Sequence, residues 1–227
     1  MKIAYQGIAG SYSESCAKEK YPNCETISCK TFDECFERAN KDNMVKAIIP
    51  ESNKTTGNIG VEYLIFKYRL NIYAEHFFPI NHNLLGLPGA EIKDIKDVYS
   101  HAQALSQSSN FIKNNKLNEN VRADTAGSAK YISQKKDITK AAIASKLSAK
   151  IYNLKILDSN VQDEKENVTR FLIMQKDIFQ PELKNNKYIT SLLFKLKSKA
   201  GALYSALGSF TLNGVNLTKL QSFPEKN

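Results

Sequence analysis

Asp97-Val98-Tyr99-Ser100-His101-Ala102-Gln103-Ala104-Leu105-Ser106-Gln107 holds the pattern on which the fold turns. A short strand-like run, Asp97-Val98-Tyr99, gives way to Ser100, whose hydroxyl suits the N-cap of a helix. From that cap Gln103 and Gln107 stand at i and i+4 and are expected on one helical face. The same rhythm of strand, hydroxyl and helix recurs in both directions along the chain. Residues 2–6 form a strand that leads into Gly7-Ile8-Ala9-Gly10-Ser11-Tyr12-Ser13-Glu14. There Ser11 and Glu14 have capping-box spacing for a helix over 12–20. Val121-Arg122-Ala123 reads as a strand before a helix opened by Asp124-Thr125, and Lys140 to Ala144 as a strand before a helix opened by Ser145.

Between these units lie a strand over 25–29, a helix over 32–39, and a strand from Lys46 that Pro50 is expected to end. Glu51-Ser52-Asn53-Lys54-Thr55-Thr56-Gly57 follows as a dense polar loop, and Val61 to Tyr68 as a short helix. Residues 72–78 and 80–87 are strand-like, meet at Pro79, and are expected to cross into a second lobe. Alternation of this kind predicts an α/β fold with largely parallel sheets. Ligands of such folds bind beyond the C-terminal ends of the strands. The helix starts at Ser11, Ser100, Thr125 and Ser145 would then surround one cleft with hydroxyls and backbone N–H groups, a setting for an anion.

A second decisive stretch is Asn167-Val168-Thr169-Arg170-Phe171, which runs into Leu172-Ile173-Met174. Thr169 and Arg170 stand where a charged loop enters a strand, so their side chains take opposite faces. Thr169 offers a hydroxyl; Arg170 either binds a carboxylate or turns away into a structural ion pair.

At 227 residues, 42% hydrophobic and 24% charged, the chain has the composition of a globular protein with room for one large or two small domains. No apolar run reaches the roughly 18–20 residues of a membrane span, and Met1-Lys2-Ile3-Ala4-Tyr5 reads as a strand rather than a signal, so a cytoplasmic protein with no membrane partner is expected. Cys16, Cys24, Cys29 and Cys35 form no Cys-x-x-Cys pair and lie far from the histidines, which favours free thiols over zinc. The net charge of +9 comes from lysines spread along the whole chain without an arginine-rich stripe, so a small anionic substrate is expected and nucleic acid is not.

Five motifs in order resemble the prephenate dehydratase family: Gly7-x-x-Gly10-Ser11-Tyr12-Ser13-Glu14, Ser100-His101-Ala102-Gln103-Ala104, Asp124-Thr125-Ala126, Ala141-Ala142-Ile143-Ala144-Ser145, and Asn167-Val168-Thr169-Arg170-Phe171. The resemblance implies a two-lobed catalytic domain over 1–180, like a type II periplasmic binding protein. Lobe one would comprise 1–78 and 160–180, lobe two 79–159, and the active site would lie between them. It implies decarboxylating dehydration of prephenate to phenylpyruvate in phenylalanine synthesis, with no metal or organic cofactor. Arogenate dehydratase and a non-catalytic sensor of a small carboxylate are the alternatives. By the same likeness Thr169 carries the essential hydroxyl, supported by Ser100, Gln103 or Gln107, and Asn53. Ser11, Thr125, Arg170, Glu51 and Ser52 complete the expected substrate site. Two departures stand out. The family loop reads Pro-Ile-Glu-Asn-Ser-x-x-Gly, whereas Pro50-Glu51-Ser52-Asn53 places Ser52 where the glutamate belongs. Ala102 stands where the family has proline.

Beyond a polar linker, Tyr188 to Lys197 is expected as a strand, Lys199 onward as a helix that Gly214 stops, and Val215 to Leu220 as a second strand. This resembles the first half of an ACT regulatory domain over 187–227, a ferredoxin-like α+β unit. Gly201, Ala202, Leu203 and Asn216 would be its phenylalanine effector site. Gln221-Ser222-Phe223-Pro224 stands where Glu-Ser-Arg-Pro is usual. A unit of about 40 residues buries its own faces poorly. Either the gene is cut short or the half-domain completes itself against a partner subunit, in a homodimer or homotetramer, and feedback by phenylalanine is not expected from half a domain.

Overall fold

The structure is a computed structural model in which residues 1–180 and 188–222 are described. Two units divide the chain, Met1–Phe179 and Gln180–Asn227. The first contains two mixed sheets. Strands β1 (Lys2–Gln6), β2 (Glu25–Cys29), β3 (Val45–Asn53), β4 (Gly57–Asn58) and β5 (Asn71–Pro79) precede β6 (Asn83–Gly86) in sequence. β7 (Asp97–Ser100), β8 (Asn118–Val121), β9 (Lys140–Ala144), β10 (Lys155–Ser159) and β11 (Val168–Gln175) follow. One sheet has the order β2-β1-β3-β11-β5, with β4 paired to β3; the other has the order β10-β6-β9-β7-β8.

Period-two alternation distributes the core over both faces of each sheet. In the first sheet Ala4, Ala47, Ile49, Leu172 and Met174 pack with Cys35, Phe36 and Ala39 of α2 (Phe32–Lys41). Their neighbours Ile3, Tyr5, Ile48, Phe171 and Ile173 face the other way, onto Cys16 and Ala17 of α1 (Tyr12–Lys20). In the second sheet Leu84, Val98, Ala141 and Ile143 pack with Leu105 of α4 (Ala102–Ser106) and Ile112 of α5 (Ser109–Asn114). Leu85, Ala142 and Ala144 face Ala129 and Ile132 of α6 (Thr125–Lys135) and Ala149 of α7 (Lys146–Ile151). A short helix, α3 (Glu62–Tyr68), adds Leu64 to the first core. All four cysteines are free thiols.

The α/β class holds, but the sheets are half antiparallel. β1 runs parallel to β2 and β3, whereas β11 runs antiparallel to β3 and β5. β7 runs parallel to β8 and β9, whereas β6 runs antiparallel to β9 and β10. β6 and β11, which run against their neighbours, each enter a sheet just after the chain crosses from the other, at 80–82 and 160–167; the short β4 also pairs antiparallel with β3. β10 carries no strong alternation and was not expected. The strand before α6 is Asn118–Val121 rather than Val121–Ala123, because its parallel register on β7 ends at Val121 opposite Ser100.

Pro50 does not end β3, which continues to Asn53. Proline is tolerated there because the register with β11 shifts between Arg170 and Phe171, leaving a bulge at Glu51 beside Pro50, and β1 pairs with β3 only as far as Ile48. The three extra residues deliver Asn53 to a position directly opposite Thr169.

In the second unit the expected helix is present as α8 (Ala202–Leu212), preceded by Gly201 in the left-handed region at φ +73°. Neither expected strand forms among its described residues, 188–222. A strand exists only by pairing with another, and no pairing strand is present among these described residues. Of the 12 large hydrophobic side chains exposed there, Tyr204 and Leu212 are the most open.

Candidate active site

The site begins with one cross-strand pair. Thr169 and Asn53 oppose each other on β11 and β3, so both side chains share a face, and both are buried. Asn53 Nδ2 donates to Thr169 Oγ1 at 2.8 Å and to Asn167 Oδ1 at 2.8 Å. Its Oδ1 accepts from the backbone N–H of Thr55 at 2.9 Å and of Thr56 at 3.2 Å as the chain turns into β4. Backbone N–H groups only donate, so these two bonds fix which way the amide points. Thr169 Oγ1 is therefore an acceptor toward Asn53 and keeps its own proton for another oxygen.

The second sheet's lobe reaches this pair through glutamines. Gln103 Nε2 donates to Thr56 Oγ1 at 3.2 Å, and Gln107 Nε2 to Thr55 Oγ1 at 2.6 Å. Gln107 Oε1 meets Asn167 Nδ2 at 3.2 Å and His82 Nε2 at 3.0 Å. His82, buried in the crossing segment, meets the hydroxyl of Tyr12 through Nδ1 at 2.6 Å. Burial holds the His82 pKa below its ordinary value, with the Gln107 bond a weaker opposing influence, so the ring is neutral near pH 7. Burial also raises the Tyr12 hydroxyl pKa far above the usual tyrosine range, which leaves it a proton-bearing donor.

Of the expected site residues, Thr169, Asn53, Gln107 and Gln103 come together. The others are placed elsewhere. Ser100 ends β7 fully buried, its hydroxyl donating to Ile143 O at 2.6 Å; the cap of α4 is His101, whose Nδ1 accepts from Gln103 N at 3.3 Å. Gln107 is accordingly the C-cap of a five-residue helix, not a member of one continuous face. Ser11 caps α1 through Glu14 N at 3.2 Å, but Glu14 turns its carboxylate to Gly10 N at 2.7 Å. Thr125 lies inside α6, which Asp124 caps through Gly127 N at 2.6 Å. Ser145 does cap α7, and it also donates to Gly10 O at 2.5 Å. The helix starts thus serve as local caps and inter-lobe ties.

Arg170 takes the face opposite Thr169. Its Nε donates to Glu75 Oε2 at 2.7 Å and its Nη1 to Glu51 Oε2 at 3.3 Å, and the Ser52 hydroxyl donates to that same Glu51 oxygen at 2.5 Å. The bulge at Glu51 makes this cluster possible, and it occupies three residues expected to bind substrate. Gly201, Ala202, Leu203 and Asn216 fall in the second unit, the first three at the start of α8. Asn167, Thr55, Tyr12 and His82 are not among the site residues expected from the sequence. Asn167 and Thr55 lay inside motifs already quoted; a lone histidine between two strands gives no periodic signal.

Known proteins resemble this chain over nearly all of its length. The prephenate dehydratase family profile matches residues 3–178. An Arabidopsis thaliana protein named arogenate dehydratase/prephenate dehydratase 1, chloroplastic, is 40% identical over 227 residues; the match covers 100% of this chain but only 58% of that relative. Among solved structures, GqqA, described as a novel type of quorum quenching acylase, superposes with a TM-score of 0.90 at 32% identity, covering 99% of this chain and 82% of the other. The prephenate dehydratase of Staphylococcus aureus superposes at 0.74 with 25% identity, covering 99% and 85%. The chain belongs to the prephenate dehydratase family.

Proposed function

We propose that this chain catalyses the decarboxylating dehydration of prephenate to phenylpyruvate, with Thr169 as the residue that polarises the departing hydroxyl. The observation that carries this reading is the fixed Asn53–Thr169 bond, which leaves a hydroxyl proton available on a buried oxygen. In the reaction the bond from the ring to its carboxylate breaks and releases carbon dioxide. That electron pair enters the ring as it becomes aromatic, and the C4–oxygen bond breaks on the far side. The oxygen leaves as water after taking one proton, so prephenate dianion and one proton give phenylpyruvate anion, carbon dioxide and water. Aromatisation supplies the driving force, and the protein's task is to place donors where negative charge develops. Thr169 donates toward the leaving oxygen while Asn53 supports the charge left on Oγ1. The amides of Gln103 and Gln107 are suited to orient the side-chain carboxylate.

A second reading is arogenate as substrate, since the Arabidopsis relative is named for both dehydratases. Arogenate differs in carrying an amino group on the side chain. We also infer that the segment from residue 188 is the start of an ACT domain, on the strength of Gly201-Ala202-Leu203-Tyr204 at the helix start.

The test is turnover by the purified chain. Phenylpyruvate is followed by its absorbance in alkali after incubation with prephenate, phenylalanine is followed by chromatography after arogenate, and an N-acyl amide is run alongside. Phenylpyruvate formation well above the spontaneous rate is expected. Turnover of arogenate alone would move the assignment to the second reading, and hydrolysis of the amide alone would overturn both.

A further inference from the structure

The side chains around Asn53 close a hydrogen-bonded ring whose direction follows from one fixed point. Asn53 Oδ1 is the amide oxygen, because two backbone N–H groups donate to it. The Thr55 hydroxyl lies 2.6 Å from this oxygen and must donate to it. Thr55 Oγ1 is then an acceptor for the Gln107 amide nitrogen. Gln107 consequently turns Oε1 toward Asn167 Nδ2, and Asn167 turns Oδ1 back to Asn53 Nδ2, which closes the circuit. Every member donates to the next in one sense, an arrangement in which each bond polarises its neighbour.

The ring also dictates the state of His82. Gln107 Oε1 only accepts, so the His82 nitrogen 3.0 Å from it must carry the hydrogen. Nδ1 of the neutral ring is then a bare lone pair, and it faces the Tyr12 hydroxyl at 2.6 Å. Tyr12 divides its single proton between that nitrogen and Asn81 O, at 3.1 Å. A cationic His82 would need both ring nitrogens protonated in a site that is 2% exposed.

We propose that His82, held by Tyr12 as the Nε2–H tautomer, is a positioning residue that braces Gln107 in the orientation the ring requires. Without this second donor only Thr55 and Asn167 hold the Gln107 amide, and an amide that turns over brings its nitrogen against that of Asn167. Asn167 must then turn as well, and Asn53, pinned by the backbone, loses one of its two acceptors. Its remaining N–H bond to Thr169 is no longer braced. The catalytic consequence rests on the dehydratase reading above; the tautomer and the ring direction do not.

Two measurements test the inference. Two-bond proton–nitrogen correlation spectra of the whole chain labelled with 15N-histidine, without substrate at pH 7, are expected to show protonated Nε2 and unprotonated Nδ1 for His82. The opposite tautomer or the imidazolium would overturn the proposal, whatever the enzyme does. Kinetics on prephenate then compare His82→Leu, which removes the donor, with His82→Gln, which places an amide N–H near the former Nε2. His82→Leu is expected to lower kcat about 5- to 10-fold, the worth of one neutral hydrogen bond, and His82→Gln to recover most of it. Equal losses in both variants, or none in either, would overturn the positioning role. Should His82→Leu fail to fold, the wild-type spectra and the Gln variant still decide it. A wild-type chain that shows the expected tautomer yet turns over no prephenate would remove the dehydratase reading and leave the ring standing.

Discussion

Asn53 spends both amide hydrogens inside the site, one on Thr169 and one on Asn167, and this makes the Thr169 hydroxyl directional. Valine has nearly the same shape as threonine but no proton to offer. Thr169→Val is therefore expected to leave the fold intact and to lower kcat for prephenate by about 10²- to 10⁴-fold, the usual worth of a placed proton donor, with a far smaller change in KM. Thr169→Ser should keep most of the rate. Steady-state kinetics on the two variants checks this, and a Val variant with wild-type kcat would take Thr169 out of the chemistry. Thr169 stands out in the sequence at the junction of a charged loop and a strand, whereas Asn53 is picked out of its polar loop only by the family resemblance. Gln107 was also legible, though by a cap at Ser100 that the protein places at His101 instead. His82 was not legible. Its hydrogen bonds to Tyr12 and Gln107 arise only where the chain crosses between lobes, and no local pattern records that meeting.

At the scale of elements, Glu14 shows how one side chain secures a helix start against a sheet. Its carboxylate accepts from Gly10 N at 2.7 Å and from Thr26 Oγ1 of β2 at 3.0 Å, and pairs with Lys18 Nζ at 2.7 Å. Burial alone would raise its pKa, but the Lys18 pairing, the Gly10 N–H and the Thr26 hydroxyl outweigh it and hold the value below the ordinary carboxylate range. With the folded pKa depressed, the contribution to stability is fully present above the unfolded value of about 4.3 and is lost as pH falls through the folded one. Glu14→Gln is accordingly expected to cost about 1–3 kcal/mol at pH 7, and markedly less at pH 3. Urea unfolding at the two pH values reads this directly; a cost that does not change with pH would show that the charge on Glu14 is idle. The elements themselves were largely readable, since α1, α2, β1, β2 and β9 carry clear alternation or caps. What the sequence did not yield is direction and pairing. Nothing local in Val168–Gln175 says that it runs antiparallel between β3 and β5, and Pro50 misleads until the bulge beside it is known.

For the first unit as a whole, the two sheets are joined by crossing segments and by the glycine turn that precedes α1. Gly10 O accepts from Ser145 Oγ at 2.5 Å and from Ser148 Oγ at 2.8 Å, and the Tyr152 hydroxyl donates to Ala9 O at 2.7 Å. This tie lets Gln103 and Gln107 of one lobe reach Thr56 and Thr55 of the other. It also requires a residue without a side chain. A Cβ on Gly10 would sit 2.5 Å from Ser148 Oγ and 3.0 Å from Ser148 Cα, on a backbone with φ at +92°. Gly89 provides an internal control, since its φ is also +92° but its Cβ would meet nothing within 4 Å. Both alanine variants bear the left-handed penalty of about 1–2 kcal/mol, and Gly10→Ala is expected to lose roughly 1–3 kcal/mol more as the turn is forced off α7. Urea midpoints of the two variants measure the difference, and prephenate turnover should fall in Gly10→Ala while Gly89→Ala keeps it. Equal midpoints and equal activities would mean that α7 yields to the added methyl group, and that the register of the two lobes does not depend on this close approach.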